Sequence, residues 1–259
     1  MTTALVTGAT SGIGLAFARQ LALRGHDLVV VARDLARLQS VAAELGSQTG
    51  VDIEILVADL AVRDQTQRVA DRVADPDRPV ELVVNNAGFG LATASIDSAL
   101  RDEERMIEVM CRAVLVVSHA AARAMRERGH GAIVNVSSVA AFASLGSYSA
   151  AKSWCLVYTE GLAHELSGTG VTATALCPGF TRTEFHQRAR LNMGKLPGAA
   201  WLDADRLVKD CLDDVAAAKV VSVPGPLYKA LVLGLGLAPR GVVRTVTGAI
   251  GTKRRPPAG

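Results

Sequence analysis

With 259 residues, 49% of them hydrophobic and 20% charged, the chain is long enough to bury one full-sized α/β core and too apolar for a disordered protein. Net charge is +3 and basic residues are not interleaved with aromatics, which make up 4% of the chain, an arrangement that argues against a nucleic-acid binder. Four scattered cysteines without a C-x-x-C pair, and an N-terminus that runs from Met1 straight into Thr-Thr-Ala-Leu-Val, point to a reducing, cytoplasmic compartment reached without a signal peptide.

Short β-branched runs alternate with amphipathic stretches. Strands are predicted at Leu5 to Thr7, Leu28 to Ala32, Ile53 to Ala58, Leu82 to Val84, Ala132 to Val136, Val171 to Leu176 and Val220 to Val223, with helices between them. Runs this uniformly apolar suit strands buried on both faces, and the connections are long enough for right-handed crossovers. The expected fold is therefore α/β, a single doubly wound, seven-stranded parallel sheet with helices on both faces, and ligand belongs at the carboxyl ends of its strands. No composition break comes before about residue 190, where Met193-Gly-Lys-Leu-Pro-Gly198 reads as a flexible excursion. One domain over residues 1–259 follows, with a substrate-covering flap at about 185–223 that includes the last strand.

The first strand runs into Thr7-Gly-Ala-Thr-Ser-Gly-Ile-Gly14, and helical periodicity follows from Leu15 to Leu23. Glycine in such a turn permits positive φ and lets backbone N–H groups approach a pyrophosphate, whose charge the helix N-terminus favours. Gly8, Ser11, Gly12, Ile13 and Gly14 are the candidates to cradle it. Arg33, after the second strand, offers a planar cation that can pair with a 2′-phosphate and stack on adenine, so NADP(H) is expected before NAD(H). Asp34 stands about where a ribose-binding acid is expected, and it is also placed to cap the next helix. Asp59, followed by Leu60, is placed either to receive the adenine amino group or to cap a helix.

Tyr148 and Lys152, four residues apart in a helical pattern, share one face. A nearby ammonium stabilises the phenolate and draws a tyrosine pKa down toward neutrality, which makes lysine the tuner and tyrosine the acid or base. Asn135-Val-Ser-Ser138 ends the fifth strand just before that helix. Ser138, chosen over Ser137 because strand alternation turns only one of them into the cleft, offers a hydroxyl to a carbonyl oxygen. No G-x-S-x-G elbow supports a hydrolase, and His119 and His164 have no partner at metal-ligand spacing, so no metal is expected.

These motifs together resemble the short-chain dehydrogenase/reductase family over roughly residues 3–190. Thr7-Gly-x-x-x-Gly-x-Gly14, Asn85-Asn-Ala-Gly88, the serine after the fifth strand, Tyr148-x-x-x-Lys152 and Pro178-Gly179 with Thr183 occur in the family's order. The resemblance implies a Rossmann fold in which Asn86, Ala87 and Gly88 line the adenosine-to-nicotinamide path. It also implies that Lys152 holds the nicotinamide ribose beside Tyr148, and that Pro178, Gly179, Thr181 and Thr183 cover the nicotinamide end. Pairing into a homodimer or homotetramer through long helices near residues 99–128 and 148–167 is implied as well. Two departures stand out. Ser138 and Tyr148 are ten residues apart, which trims the substrate loop, and Met110 occupies the position where the family usually has an asparagine that holds a relay water.

The reading is an NADP(H)-dependent oxidoreductase that moves a hydride between nicotinamide and the carbonyl or alcohol carbon of a hydrophobic substrate, such as a ketoacyl chain, a sterol or another lipid ketone. Leu191, Met193, Leu196, Trp201 and Leu202 in the flap motivate that substrate class. The alternative, motivated by Met110, is an NADP(H)-binding sensor or scaffold with weak catalysis. Residues 229–259 carry six cations and no acid, which leaves the first 228 residues at −3. This basic, apolar tail either covers the core and ends in a frayed, solvated segment, or rests peripherally on an anionic membrane surface or meets an acidic carrier.

Overall fold

The structure, a computed structural model, describes residues 2–91, 93–183, 198–239, 241–245 and 247. Strand β1 (Thr3–Thr7) leads through α1 (Gly12–Leu23), β2 (Asp27–Ala32), α2 (Leu35–Thr49), β3 (Ile53–Val57) and α3 (Arg63–Ala74) to β4 (Val80–Asn85). The second half continues with α4 (Leu100–Ile107), a π-helical turn (Glu108–Arg112), α5 (Ala113–Arg128), β5 (Gly131–Val136), a 3₁₀ turn (Val139–Phe142) and α6 (Ser147–Glu165). Strand β6 (Val171–Leu176), α7 (Ala204–Ala216), β7 (Val221–Ser222) and α8 (Pro226–Leu237) complete it. The seven strands are all parallel in the order β3-β2-β1-β4-β5-β6-β7. Strand order reverses between β1 and β4, and that switch opens a crevice at the carboxyl ends where the glycine turn lies.

The doubly wound arrangement follows from the period-two alternation of the strands. On β1, Ala4 and Val6 face the layer of Phe17 and Leu21 from α1, Leu38 from α2 and Leu207 from α7. Leu5 between them faces Val69 of α3, Val117 and Met125 of α5 and Leu162 of α6. Each strand thus buries both faces, as the unbroken apolar runs require. Fully burying a side chain such as Phe17 contributes about 1.5–3 kcal/mol.

Helix α7 corrects the extent of the expected flap. Residues 204–216 form a sheet-covering helix whose Leu207, Val208, Cys211 and Leu212 enter the same core as Phe17. Its N-terminus is capped by Asp203, which accepts from Arg206 N at 2.9 Å, and Arg19 of α1 reaches Asp205 at 3.2 Å. The physical reason is an amphipathic period, with apolar residues at 207, 208, 211, 212 and 215, that only a core-facing helix satisfies. The flap residues Leu191, Met193 and Leu196 lie outside the described residues, as do Arg240 and Lys253 to Arg255 of the tail.

Candidate active site

At the switch point, Gly8 turns the chain with φ +67° while its N–H donates to Val31 O at 2.8 Å. A Cβ on Gly14 would sit 2.2 Å from Gly8 O and 2.3 Å from Asn86 Nδ2, so turn, helix start and the segment after β4 touch with no room for a side chain. Asn86 binds this junction by donating to Thr7 O at 2.9 Å and Gly8 O at 3.3 Å. Thr7 Oγ1 in turn accepts from Asn86 N at 3.0 Å and Ala87 N at 3.1 Å. Helix α1 begins at Gly12, after Ser11 in extended geometry, and presents its first-turn N–H groups, which have no acceptor within the helix, and the positive end of its dipole. A cradle that any Cβ would fill, beside a helix N-terminus, fits a pyrophosphate.

At the adenosine end, Arg33 is exposed, and Asp34 caps α2 by accepting from Arg37 N at 3.1 Å. Asp59 does not cap α3, whose N-cap is Val62. It accepts from Ala61 N at 3.0 Å and from Arg105 Nη2 at 2.6 Å. Burial opposes the charge of Asp59, but the Arg105 hydrogen bond, the Ala61 N–H and the positive charges of Arg105 and Arg33 overcome it and hold the carboxyl below its usual range. Leu60 packs into the core at 7% exposure, which leaves only its backbone for a ligand.

Ser138, Tyr148 and Lys152 converge beyond the end of β5. Ser137 and Ser138 take opposite directions: buried Ser137 donates to Lys152 O at 2.7 Å, whereas Ser138 caps the 3₁₀ turn at Ala140 N (3.1 Å) and hydrogen-bonds Tyr148. Lys152 is buried, donates from Nζ to Val136 O at 2.7 Å, and lies 5.9 Å from the centroid of the Tyr148 ring. Here the structure departs from the expected tuning. Burial pushes the Tyr148 phenol up to about 12, against a smaller downward pull from the Ser138 hydrogen bond. The ammonium stands over the ring and bonds a carbonyl, so desolvation outweighs it; burial likewise lowers the Lys152 pKa.

Met110 lies within the π-helical turn, 1% exposed. A Cβ on Gly88 would lie 3.2 Å from its Sδ and 3.6 Å from Lys152 Nζ. The thioether therefore shares one wall with the lysine, and π turns recur where a helix must aim a side chain into a site.

Sequence reasoning missed the polar network beneath these residues. Asn85 Nδ2 donates to Ser118 Oγ at 3.0 Å and Asn135 Oδ1 at 2.9 Å, and Ser118 Oγ donates to Asn135 Oδ1 at 3.1 Å. Asn135 Nδ2 donates to Thr159 Oγ1 at 3.0 Å, tying β4, β5 and α5 to the helix that carries Tyr148 and Lys152. The available signal was an asparagine at or next to the carboxyl end of two strands, which pair in register as Asn85 and Asn135.

After β6, buried Pro178 accepts at its carbonyl from Val139 N at 3.1 Å, and Thr181 Oγ1 donates to Gly179 O at 3.0 Å. Thr183 reaches back to the glycine turn, 3.1 Å from where a Cβ on Gly12 would be. Tyr228 of α8 backs this segment: its hydroxyl accepts from Phe180 N at 3.0 Å and donates to Ala200 O at 2.5 Å.

The sequence profile of the short chain dehydrogenase family matches residues 2–194. The chain is 38% identical over 188 residues to sulfoacetaldehyde reductase 2 of Chromohalobacter salexigens, covering 70% of this chain and 73% of that protein. A solved short-chain dehydrogenase from Sphingobium yanoikuyae in complex with NADPH superposes with a TM-score of 0.84 at 32% identity, covering 100% of this chain and 98% of that one. The bulky-bulky ketone specific alcohol dehydrogenase from Comamonas testosteroni gives a TM-score of 0.78 at 30% identity over 93% and 96%. With its parallel sheet, glycine cradle and ordered motifs, this chain belongs to the short-chain dehydrogenase/reductase family, oxidoreductases that use a nicotinamide cofactor on alcohols and carbonyl compounds.

Proposed function

We propose that the chain is an NADP(H)-dependent reductase of hydrophobic ketones. The convergence of Ser138, Tyr148 and Lys152 at the strand ends, next to the Gly8–Gly14 cradle, carries this reading. Gly8, Ser11, Gly12, Ile13 and Gly14 hold the pyrophosphate. Arg33 holds the 2′-phosphate, Asp59 and the Leu60 backbone the adenine, Asn86 to Gly88 and Lys152 the central ribose region, and Pro178, Gly179, Thr181 and Thr183 the nicotinamide end. A bound nicotinamide supplies or accepts the hydride at the substrate carbon. Ser138 donates a hydrogen bond to the substrate oxygen as it gains charge. Tyr148 delivers the proton to that oxygen, and the Lys152 ammonium stabilises the phenolate left behind. The apolar side chains of Phe180, Trp201 and Leu202 beside the site support a hydrophobic substrate. The four free thiols support a reducing, cytoplasmic compartment. Exposed Leu115 and Val157 on α5 and α6 support pairing of two or four chains through those helices.

NADPH oxidation across a panel of ketones, run beside NADH, tests this. The wild type turns over and Tyr148→Phe does not, while NADPH binding is kept; turnover by Tyr148→Phe overturns the mechanism. Met110, packed beside Lys152 without a donor, favours a second reading as a cofactor-binding sensor with slow chemistry. A large rate gain in Met110→Asn supports that reading, and an unchanged rate supports a relay by another route.

A further inference from the structure

Helix α8 is apolar on both sides. Tyr228, Val232 and Leu235 face the protein, with Tyr228 and Val232 in a small core alongside Ala141, Leu156 and Val223. The opposite half of the helix presents Leu227, Ala230, Leu231, Leu233, Gly234 and Leu237 to solvent, since these positions fall within about half a turn of one another at 3.6 residues per turn. Leu227, Leu231, Leu233 and Leu237 are 55, 46, 65 and 79% exposed. Lys229 stands on the flank, and exposed Val242 and Arg244 follow in the next helical stretch. Four exposed leucines on three turns form a patch of the kind that marks a docking surface.

We propose that α8 seats the protein on an anionic phospholipid surface, with the mouth of the substrate site turned toward the lipid. Charge selects the occupant. Residues 229–259 carry six cations and no acid, whereas the preceding 228 residues carry a net −3. A second copy seated face to face on this helix brings like charges together, but an acidic lipid headgroup layer neutralises them. Among the described residues no helix is long and apolar enough to cross a membrane, so α8 lies in the interface, with its leucines in the acyl boundary and Lys229 and Arg244 toward the headgroups. Its contacts place that interface at the site. The Tyr228 ring lies 2.2 Å from where a Cβ on Gly179 would be, against the proposed nicotinamide cover. Beyond α8, buried Thr247 accepts at Oγ1 from Ser144 N at 3.2 Å, in the trimmed loop that leads to Tyr148. A lipid-dissolved ketone then reaches Tyr148 without crossing water, an inference that rests on the reductase reading for its substrate.

Flotation of the full chain with phosphatidylcholine vesicles, and with vesicles that also contain phosphatidylglycerol, tests the proposal. The protein floats with the anionic vesicles only and is released by raised salt. Leu233→Glu and Leu237→Glu each lower the bound fraction about tenfold or more, while thermal melting and NADPH binding stay at wild-type values. Wild-type protein that ignores anionic vesicles overturns the proposal, as does undiminished flotation of both leucine variants. Leucine variants that shrink the assembly in light scattering, with no vesicle binding by the wild type, overturn it in favour of a second copy. Turnover of a water-soluble ketone separates the two readings. Vesicle binding without turnover of any ketone leaves the docking surface standing and removes the reductase.

Discussion

Gly14→Ala is the sharpest test of the glycine cradle. The added Cβ would stand 2.2 Å from Gly8 O and 2.3 Å from Asn86 Nδ2, each over an ångström short of an ordinary contact at about 3.5 Å, and 2.8 Å from Gly8 C. Two of the obstructing atoms are backbone and the third is fixed by hydrogen bonds to Thr7 O and Gly8 O, so none can swing away. The start of α1 must therefore withdraw from the turn. Overpacking of this kind costs about 1–3 kcal/mol, a fall in Tm of about 2–12 °C for a chain of this size. Binding suffers more, because an N–H group displaced by an ångström leaves the range of about 2.7–3.2 Å in which it bonds a phosphate oxygen. Each lost charge-assisted bond weakens NADPH by roughly ten- to a hundredfold. The control is Gly46→Ala in α2, where the nearest atom to the new Cβ is Val51 O at 3.9 Å and helix propensity predicts a gain of about 0.5–1 kcal/mol. Calorimetry and NADPH fluorescence titration read both variants. Unchanged NADPH affinity in Gly14→Ala refutes the cradle.

Three further outcomes follow from the same geometry. Arg33→Ala raises the KM for NADPH about ten- to a hundredfold and leaves that for NADH in place; an unmoved ratio of the two removes Arg33 from the phosphate site. Asn135→Ala removes the acceptor that Asn85 Nδ2 and Ser118 Oγ share and the donor to Thr159 Oγ1, three buried hydrogen bonds, and leaves Asn85 on Ser118 and Thr159 on Cys155 O. It costs about 2–4 kcal/mol, read as a fall in Tm of about 4–16 °C, and a melt within about a degree of wild type contradicts the network. Alkali destabilises the fold. Burial pushes Cys177 and Cys211 from 9.0 up to about 12 and Tyr148 from 10.0 up to about 12. Between those values the unfolded chain has released protons that the folded chain keeps, so stability is whole below about pH 9 and is lost toward pH 12, at most about 1.4 kcal/mol per unit for each group. Lys152, held below its ordinary 10.5 by burial, opposes the trend with one proton only. A Tm that holds level from pH 9 to 11 would contradict this sign.

The parts of the site legible in the sequence are those set by local spacing. Strand runs, the glycine turn and the four-residue step from Tyr148 to Lys152 each depend on neighbours within a turn or two, and all appear in the expected elements. What stayed hidden depends on partners far apart in the chain or on burial. Asp59 meets Arg105 across 46 residues and Asn85 meets Asn135 across 50, and no local pattern signals either. The π turn that lodges Met110 beside Gly88 inserts a residue into a helix whose periodicity reads as continuous. α7 is the opposite case, since its apolar period is plain in the sequence and was masked only by its place behind a flexible-looking segment.

The sign of the Tyr148 shift shows how the two kinds of information combine. Spacing alone weighs the lysine charge and points downward, whereas packing adds the loss of water around the phenol and wins. The residues that can reverse this are already in place. Ser138 Oγ accepts from Ala140 N, which leaves its own hydroxyl proton to donate, and its hydrogen bond with Tyr148 pulls the phenol pKa down against the larger upward push of burial. In the proposed reduction, a carbonyl oxygen entering between the two hydroxyls would take the Ser138 donor and receive the Tyr148 proton. Lys152, fixed by Val136 O and with its backbone carbonyl held by Ser137, cannot follow the substrate and acts from one position. On the proposed reductase reading, the Ser138–Tyr148 contact is where the substrate oxygen would bind, and a lysine held in one place would keep that geometry the same for different ketones.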